Sequence, residues 1–469
     1  MHLLPTVNRP TRADFAALLR LATPMVLIQV GMMLMGVVDT VMVGRVSAGA
    51  LASVAIGNQY FFVIAIFGLG VLLALDPIIA QGLGARDTLA VQRGLQRGLV
   101  LATVLVLPMS LLMLLVEPVL ALVRQPAEIA PAAAGYVYRV TIAIWPLFAF
   151  VVLRQTLQAQ HKTAPIVATI IAANLLNAGL NYTLIFGHFG FRAMGVFGSA
   201  WATAVSRWFM WAMLLALAWP HVRIYLTRLA PNLLDPRALG RMLKLGTPIG
   251  AQMMLEIGAF AMVALLMGWL GVTQVAAHQV ALNLASLTFM VPLGVSSAAA
   301  VVIGHAVGRG DPGGVRRSTV AALTVGAAFM SITAVLFIAF PGFFASAYTN
   351  DTAVLSLAAL LLPIAGVFQV FDGLQVVSIG LLRGLGDTRV PMIANILGFW
   401  CLGMPVSLWL GFGLRFGAVG LWWGLVIGLV IVAVFLVVRV RQRQARDLSR
   451  IEIDDGPTTA AGAVGAGTD

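Results

Sequence analysis

Twelve apolar stretches, each long enough to cross a lipid bilayer, follow one another along this chain of 469 residues with only short polar breaks between them. They run at about residues 15–43, 51–75, 95–116, 132–153, 164–186 and 193–219, and then 239–270, 275–303, 318–340, 353–382, 390–412 and 418–438. A spanning helix needs roughly 20 residues. Hydrocarbon offers no water to backbone N–H and C=O groups, so each stretch must close its hydrogen bonds internally, as an α-helix does. The predicted fold is an all-α polytopic membrane protein. Composition agrees, with 60% of residues apolar and only 10% charged, against about 25% charged in a soluble domain. Residues 1–13 are short, polar and contain Pro5 and Pro10, so no cleavable apolar leader is predicted and the first stretch remains in the protein.

Charge sets the orientation. With the N-terminus inside, 23 of the 29 basic residues fall on inward segments. Only Arg45, Arg124, Arg192 and Arg415 fall outside, and Arg139 and Arg207 lie within spans. The positive-inside rule places both termini in the cytoplasm. It also accounts for the net charge of +12 without nucleic acid, the Arg-rich stretch 439–450 lying against anionic headgroups. Residues 451–469, rich in Gly, Ala, Thr and Asp, are expected to form a disordered tail. The lone Cys401 is expected to be a small packing residue, since one thiol makes no intrachain disulfide.

The chain repeats itself at an offset of 224 residues. Thr23-Pro24 matches Thr247-Pro248, Leu69-Gly70-Val71 matches Leu293-Gly294-Val295, Gly84 matches Gly308 and Asp87 matches Asp311. Six helices are even in number, so both copies start and end on the same side. They form parallel lobes related by pseudo-twofold symmetry about an axis along the membrane normal. The predicted organisation is a cytoplasmic segment 1–14, a first lobe 15–219, a cytoplasmic linker 220–238, a second lobe 239–438, and a basic then disordered tail 439–469.

Carboxylates inside spans carry the function. Each costs about 2.5 to 3.5 kcal/mol at a helix centre, so Asp39, Glu256 and Asp372 together oppose insertion by roughly 8 to 10 kcal/mol. Asp76 lies nearer a loop and is followed by Pro77. Amides accompany the acids. Asn174, Asn177 and Asn181 lie at i, i+3 and i+7 on one helical face; Gln252 and Glu256 are an i, i+4 pair; Gln369, Asp372 and Gln375 follow one another on span 10, and span 8 adds Asn283. Oxygen-rich surroundings suit Na⁺, and a desolvated carboxylate suits a proton, so either ion fits these groups. The Asn stripe also permits the plainer use of helix-to-helix hydrogen bonding. Pro108, Pro146, Pro292, Pro363 and Pro405 fall within spans, and kinks are expected there. Pro363 is placed to move Asp372.

No phosphate loop, H-E-x-x-H motif or Cys cluster occurs, and the six histidines lack metal-ligand spacing. The chain is therefore not read as an enzyme. His278 reads as a packed histidine.

The twelve-helix duplication and several ordered motifs resemble the multidrug and toxic compound extrusion (MATE) transporters, in particular their NorM-type branch. The motifs are Val38-Asp39-Thr40-Val41-Met42-Val43-Gly44, Ala276-Ala277-His278-Gln279-Val280-Ala281-Leu282-Asn283, and Phe371-Asp372-Gly373-Leu374-Gln375 running to Leu382-Arg383-Gly384-Leu385-Gly386-Asp387. The resemblance implies efflux of small organic, mainly cationic, compounds in exchange for Na⁺ or H⁺. It implies no cofactor, no ATPase partner, and a monomer in the lipid of a bacterial cytoplasmic (inner) membrane. It also implies that Glu256, Asp372 and Asn283 bind the coupling cation. Asp39, Asn177, Asn181 and Thr203 match the first-lobe polar site, where one branch of the family carries a second Asp in place of Asn181. Asp351 matches a drug-contacting acid, with Gln252 and Gln369 as further candidate substrate contacts; as a residue type, Asp351 equally suits a helix cap. The competing possibilities are a lipid-linked saccharide flippase of the related fold, which needs a basic cavity, and a non-transporting scaffold or permease subunit.

Overall fold

The structure, a computed structural model, describes residues 9–445 and 448–454. Twelve spans order the chain. The first lobe holds α1 (Arg12–Gly44), α2 (Ala48–Gly84), α3 (Thr88–Leu114), α4 (Ala130–Thr141 and Ile144–Ala159), α5 (Ala164–Phe186) and α6 (Val196–Leu226). The second holds α7 (Pro236–Leu270), α8 (Val272–Gly308), α9 (Pro312–Ala339), α10 (Thr352–Gly384), α11 (Arg389–Gly413) and α12 (Gly417–Gln444). Short helices Val116–Leu122 and Pro341–Ser346 follow α3 and α9. The protein is thus a multi-pass membrane protein with the expected twelve-helix architecture.

Polar residues punctuate the apolar runs. Thr11 and Asp14 close a capping box at the start of α1. Ser47, Asp87, Asp235, Asp311 and Asp351 cap α2, α3, α7, α9 and α10. Three of the corners share one turn. In Gly84-Ala85-Arg86-Asp87, Gly308-Arg309-Gly310-Asp311 and Gly384-Leu385-Gly386-Asp387 the third residue is left-handed, with φ of 58°, 67° and 77°. The Asp N–H then donates to a carbonyl five residues back: Asp87 to Gly82, Asp311 to Ala306 and Asp387 to Leu382. This is the Schellman ending of a helix.

Several boundaries differ from the sequence expectations. Span 2 continues past Leu75 to Gly84, placing Asp76 inside the helix, because the chain resumes α-helix after a brief break at Leu73-Ala74. Likewise α6 runs through Pro220 to Leu226, so irregular linker is confined to residues 227–235. Of the in-span prolines, Pro146 follows a 49° bend between the two halves of α4, and Pro405 lies between the two π-helical stretches of α11. At Pro363 α10 continues without a break. Cys401 is exposed on α11 rather than packed.

Each lobe's first helix crosses to the other lobe at one end. Leu18, Leu21, Ala22 and Met25 of α1 join the apolar core of the second lobe, and Met242 of α7 joins that of the first. The contacts obey the repeat. Gly70 faces Gly250 while Gly294 faces Val26; Gly84 faces His305 while Gly308 faces Gln81. All lie toward the end of the molecule where α1 begins and α12 ends, hereafter the basic end. Asp76 of α2 and Arg383 of α10 add a buried ion pair across this seam, 3.2 Å apart.

The expected disorder of the tail is corrected in part. Residues 448–454 return across the basic end, because Arg450 and Asp454 find opposite charges on the first lobe: Asp87 for Arg450, and Arg93 and Arg97 for Asp454. Residues 455–469 and 1–8 lie outside the described residues.

Candidate cation and substrate sites

In the first lobe three helices bring the anticipated residues together. Asp39 on α1 is buried and accepts two hydrogen bonds, from Asn181 Nδ2 on α5 at 2.5 Å and from Thr203 Oγ1 on α6 at 2.9 Å. Asn181 Nδ2 also donates to Asn177 Oδ1 at 3.2 Å. The Asn stripe divides its labour. Asn174, one turn earlier, donates to Gly31 O at 3.0 Å and so ties α5 to α1, the helix-to-helix role left open by the sequence.

Arg207 adds a charge to this site that its sequence position alone does not announce. It follows Thr203 by four residues and so shares its face of α6. Its guanidinium stacks over Phe61, 4.3 Å from the ring centroid, and lies within electrostatic reach of Asp39 and of the buried Tyr136. Asp39 therefore has a cation in its field. Arg139, the other in-span arginine, donates to Gly135 O of its own helix and stacks on Phe197.

The second lobe is built differently. Glu256 on α7 accepts from Gln375 Nε2 on α10 at 3.4 Å and from Asn395 Nδ2 on α11 at 3.3 Å. Asp372, buried on α10, is close enough to Glu256 for the two charges to repel. No basic side chain pairs with either acid among the described residues. The Gln375 and Asn395 side-chain oxygens are buried without hydrogen-bond partners. Two carboxylates and two free amide oxygens thus come from α7, α10 and α11, a hard-oxygen donor set suited to a small cation.

Asn283 is half-buried on α8, and no hydrogen bond joins it to Glu256 or Asp372. Asn395 of α11 is an amide at Glu256 that the sequence did not point to. Asn395 was missed because a single amide in an apolar stretch carries no pattern; it is the last α-helical residue before the π-helical turns of α11. Gln369 lies deeper in the lobe and accepts from Thr288 and Thr333 at 2.5 and 3.3 Å. Gln252 is buried one turn before Glu256. Asp351 caps α10, accepting from the Ala353 and Val354 N–H groups at 2.9 and 3.0 Å, which is the capping role. His278 is buried edge-on against Trp422, as a packed histidine.

The profile of the MatE family matches residues 24–183 and 248–409, one block in each lobe. The chain belongs to the MATE family. MATE proteins are transporters, so this chain is a transporter and not an enzyme. It is 36% identical over 438 residues to a probable multidrug resistance protein NorM of Rhizobium meliloti (strain 1021), covering 90% of this chain and 92% of the relative. It is 36% identical over 431 residues to the multidrug resistance protein NorM of Burkholderia vietnamiensis, covering 90% and 92%. Among solved structures, the eukaryotic MATE transporter AtDTX14 superposes with a TM-score of 0.84 at 22% identity, covering 92% of this chain and 98% of that one. The outward-facing conformation of a multidrug resistance MATE family transporter gives 0.83 at 18% identity, covering 95% and 99%. These two likenesses concern the MATE fold.

Proposed function

We propose that this MATE chain is a multidrug efflux antiporter of a bacterial cytoplasmic membrane, with its basic end in the cytoplasm. It exports small organic cations in exchange for Na⁺ or H⁺ bound at Glu256 and Asp372. The observation that carries this is the contrast between the lobes: Glu256 has amide partners only and shares its field with the second acid Asp372, whereas Asp39 has Arg207 in its field. Uncompensated paired carboxylates in a membrane bind a cation or a proton more readily than a carboxylate with a nearby guanidinium. The NorM names of the relatives support the multidrug cargo.

Both lobes reside in one chain, so a monomer supplies the whole device and needs no ATPase. A cation at the second-lobe site and an organic cation stabilise opposite orientations of the lobes, and each lowers the other's affinity by the same factor. One elementary charge crossing 100 mV releases about 2.3 kcal/mol, enough for roughly a 40-fold gradient of cargo.

The test uses purified protein in liposomes with Na⁺ and pH gradients imposed separately. Efflux of a fluorescent organic cation should follow one gradient and disappear in Asp372→Asn while the variant stays folded. Undiminished ion-driven efflux by Asp372→Asn overturns the assignment.

A further inference from the structure

Arg439 and Arg443, near the end of α12, pair with Asp387 of the same lobe, anchoring that helix at the basic end. Seven residues further on, the chain has changed lobes. Leu448 packs against the apolar core of the second lobe and Ile453 against that of the first. Between them Arg450 Nη2 meets Asp87 Oδ2 at 2.9 Å, and the Ile451 N–H donates to Gln81 Oε1 at 2.8 Å. Gln81 in turn donates from Nε2 to Gly384 O of the second lobe at 2.9 Å. Asp454 completes the crossing, with Oδ1 2.8 Å from Arg97 Nη2 and Oδ2 3.0 Å from Arg93 Nη1.

Arg97 is the telling partner. It is fully buried on α3, and its Nη2 also donates to Asn232 O of the linker at 2.9 Å. Exposed ion pairs contribute little, but a buried guanidinium stripped of its carboxylate is left with an uncompensated charge. The side chain of Ile451 covers Gly386, where a Cβ would stand 2.7 Å from Ile451 Cδ1.

We propose that residues 448–454 are a latch that holds the two lobes together at the basic end and must release each time that end opens. The contacts that Arg450, Ile451, Ile453 and Asp454 make with the first lobe require the lobes to be together there, since the segment leaves the second lobe. Leu448 is held on the second lobe and Asp454 on the first; the seven residues span at most about 25 Å when extended, so separation beyond that reach pulls the latch from Arg93 and Arg97. The occupant of the Asp87–Arg93–Arg97 surface is thus the chain's own tail, and breaking these contacts shifts the population toward the state open at that end.

The role of the latch in transport rests on the alternating-access reading, so one arm of the test is independent of transport. In a Cys401→Ser background, spin labels at Leu229 of the first-lobe side and Arg309 of the second report the distance across the basic end. Both positions are exposed. The full-length double variant Arg450→Glu/Asp454→Lys should raise the long-distance population roughly tenfold; a distribution identical to that of the parent overturns the proposal. In the second arm, Arg93→Cys and Asp454→Cys are bridged by a short thiol-reactive linker. Bridged protein should stop exporting its fluorescent cation and recover on reduction. Export at the unbridged rate overturns the latch. A parent that exports nothing under any gradient overturns the efflux reading alone, and the distance arm then decides the latch.

Discussion

Ala80 packs against Gly304, its own equivalent one repeat later, and a Cβ on Gly304 would stand 2.6 Å from Ala80 Cβ. Only residues on a twofold axis touch their own equivalents. The axis of the duplicated lobes therefore passes between them at the basic end, where the lobes meet. Gly304→Leu would place a branched side chain on that axis. Overpacking of this kind costs roughly 1–3 kcal/mol, and the lobes relieve it by parting. The expected result is a folded protein in which a thiol at Ala80, introduced as Ala80→Cys in a Cys401→Ser background, reacts faster with a membrane-impermeant maleimide. Unchanged labelling would show that the seam is not what opens.

The seam explains how much the sequence disclosed. The offset that aligns Leu69-Gly70-Val71 with Leu293-Gly294-Val295 reappears in space as the paired contacts Gly70 to Gly250 and Gly294 to Val26. Helix count, repeat and in-span acids were legible because insertion into lipid imposes a strict apolar length and a high cost on charge. What stayed hidden depends on distant approach. Asn395 meets Glu256 across 139 residues of sequence, and Asp454 needs a buried Arg97 that lies 357 residues away.

Asn395 can be tested directly. Its amide donates to Glu256, and a hydrogen bond to a charged group contributes about 1.5–3 kcal/mol. Asn395→Leu should raise the concentration of coupling ion needed for half-maximal efflux by roughly tenfold or more, with a smaller effect on maximal rate. Ion dependence matching that of the parent would remove Asn395 from the site.

Arg207 and Asp39 invite a double-mutant cycle read by thermal unfolding in detergent. Arg207→Met leaves the Asp39 charge without its cation, and Asp39→Asn leaves Arg207 without its anion. Each single variant should lose stability, while Asp39→Asn/Arg207→Met should lose less than the two losses combined. A coupling of about 0.5–3 kcal/mol is expected for groups that share a field. Strict additivity would mean that the two charges act separately.

The latch has a definite pH signature. Burial works to raise the Asp454 pKa, but hydrogen bonding and charge from Arg97 and Arg93 outweigh it and hold the carboxyl below its ordinary value. A lowered folded-state pKa means that the stabilisation is complete above the unfolded pKa, about 3.9, and fades as the pH falls through the folded value. The distance between labels at Leu229 and Arg309 should therefore stay constant from pH 5 to pH 8 and lengthen only below about pH 4. A transition near neutral pH would place control of the basic end in some group other than Asp454.

Arg86 occupies the left-handed position that glycine fills in the two sister corners, at Gly310 and Gly386. A side chain there costs roughly 1–2 kcal/mol through the clash of Cβ with the following carbonyl. The Arg86 side chain makes no hydrogen bond or ion pair within the described residues that would offset this. Arg86→Gly should therefore raise the unfolding temperature despite the greater chain entropy of glycine, the net gain being about 1 kcal/mol or less. A lower unfolding temperature would instead assign Arg86 a stabilising contact with lipid headgroups at the basic end, which the same measurement in anionic and neutral nanodiscs would separate.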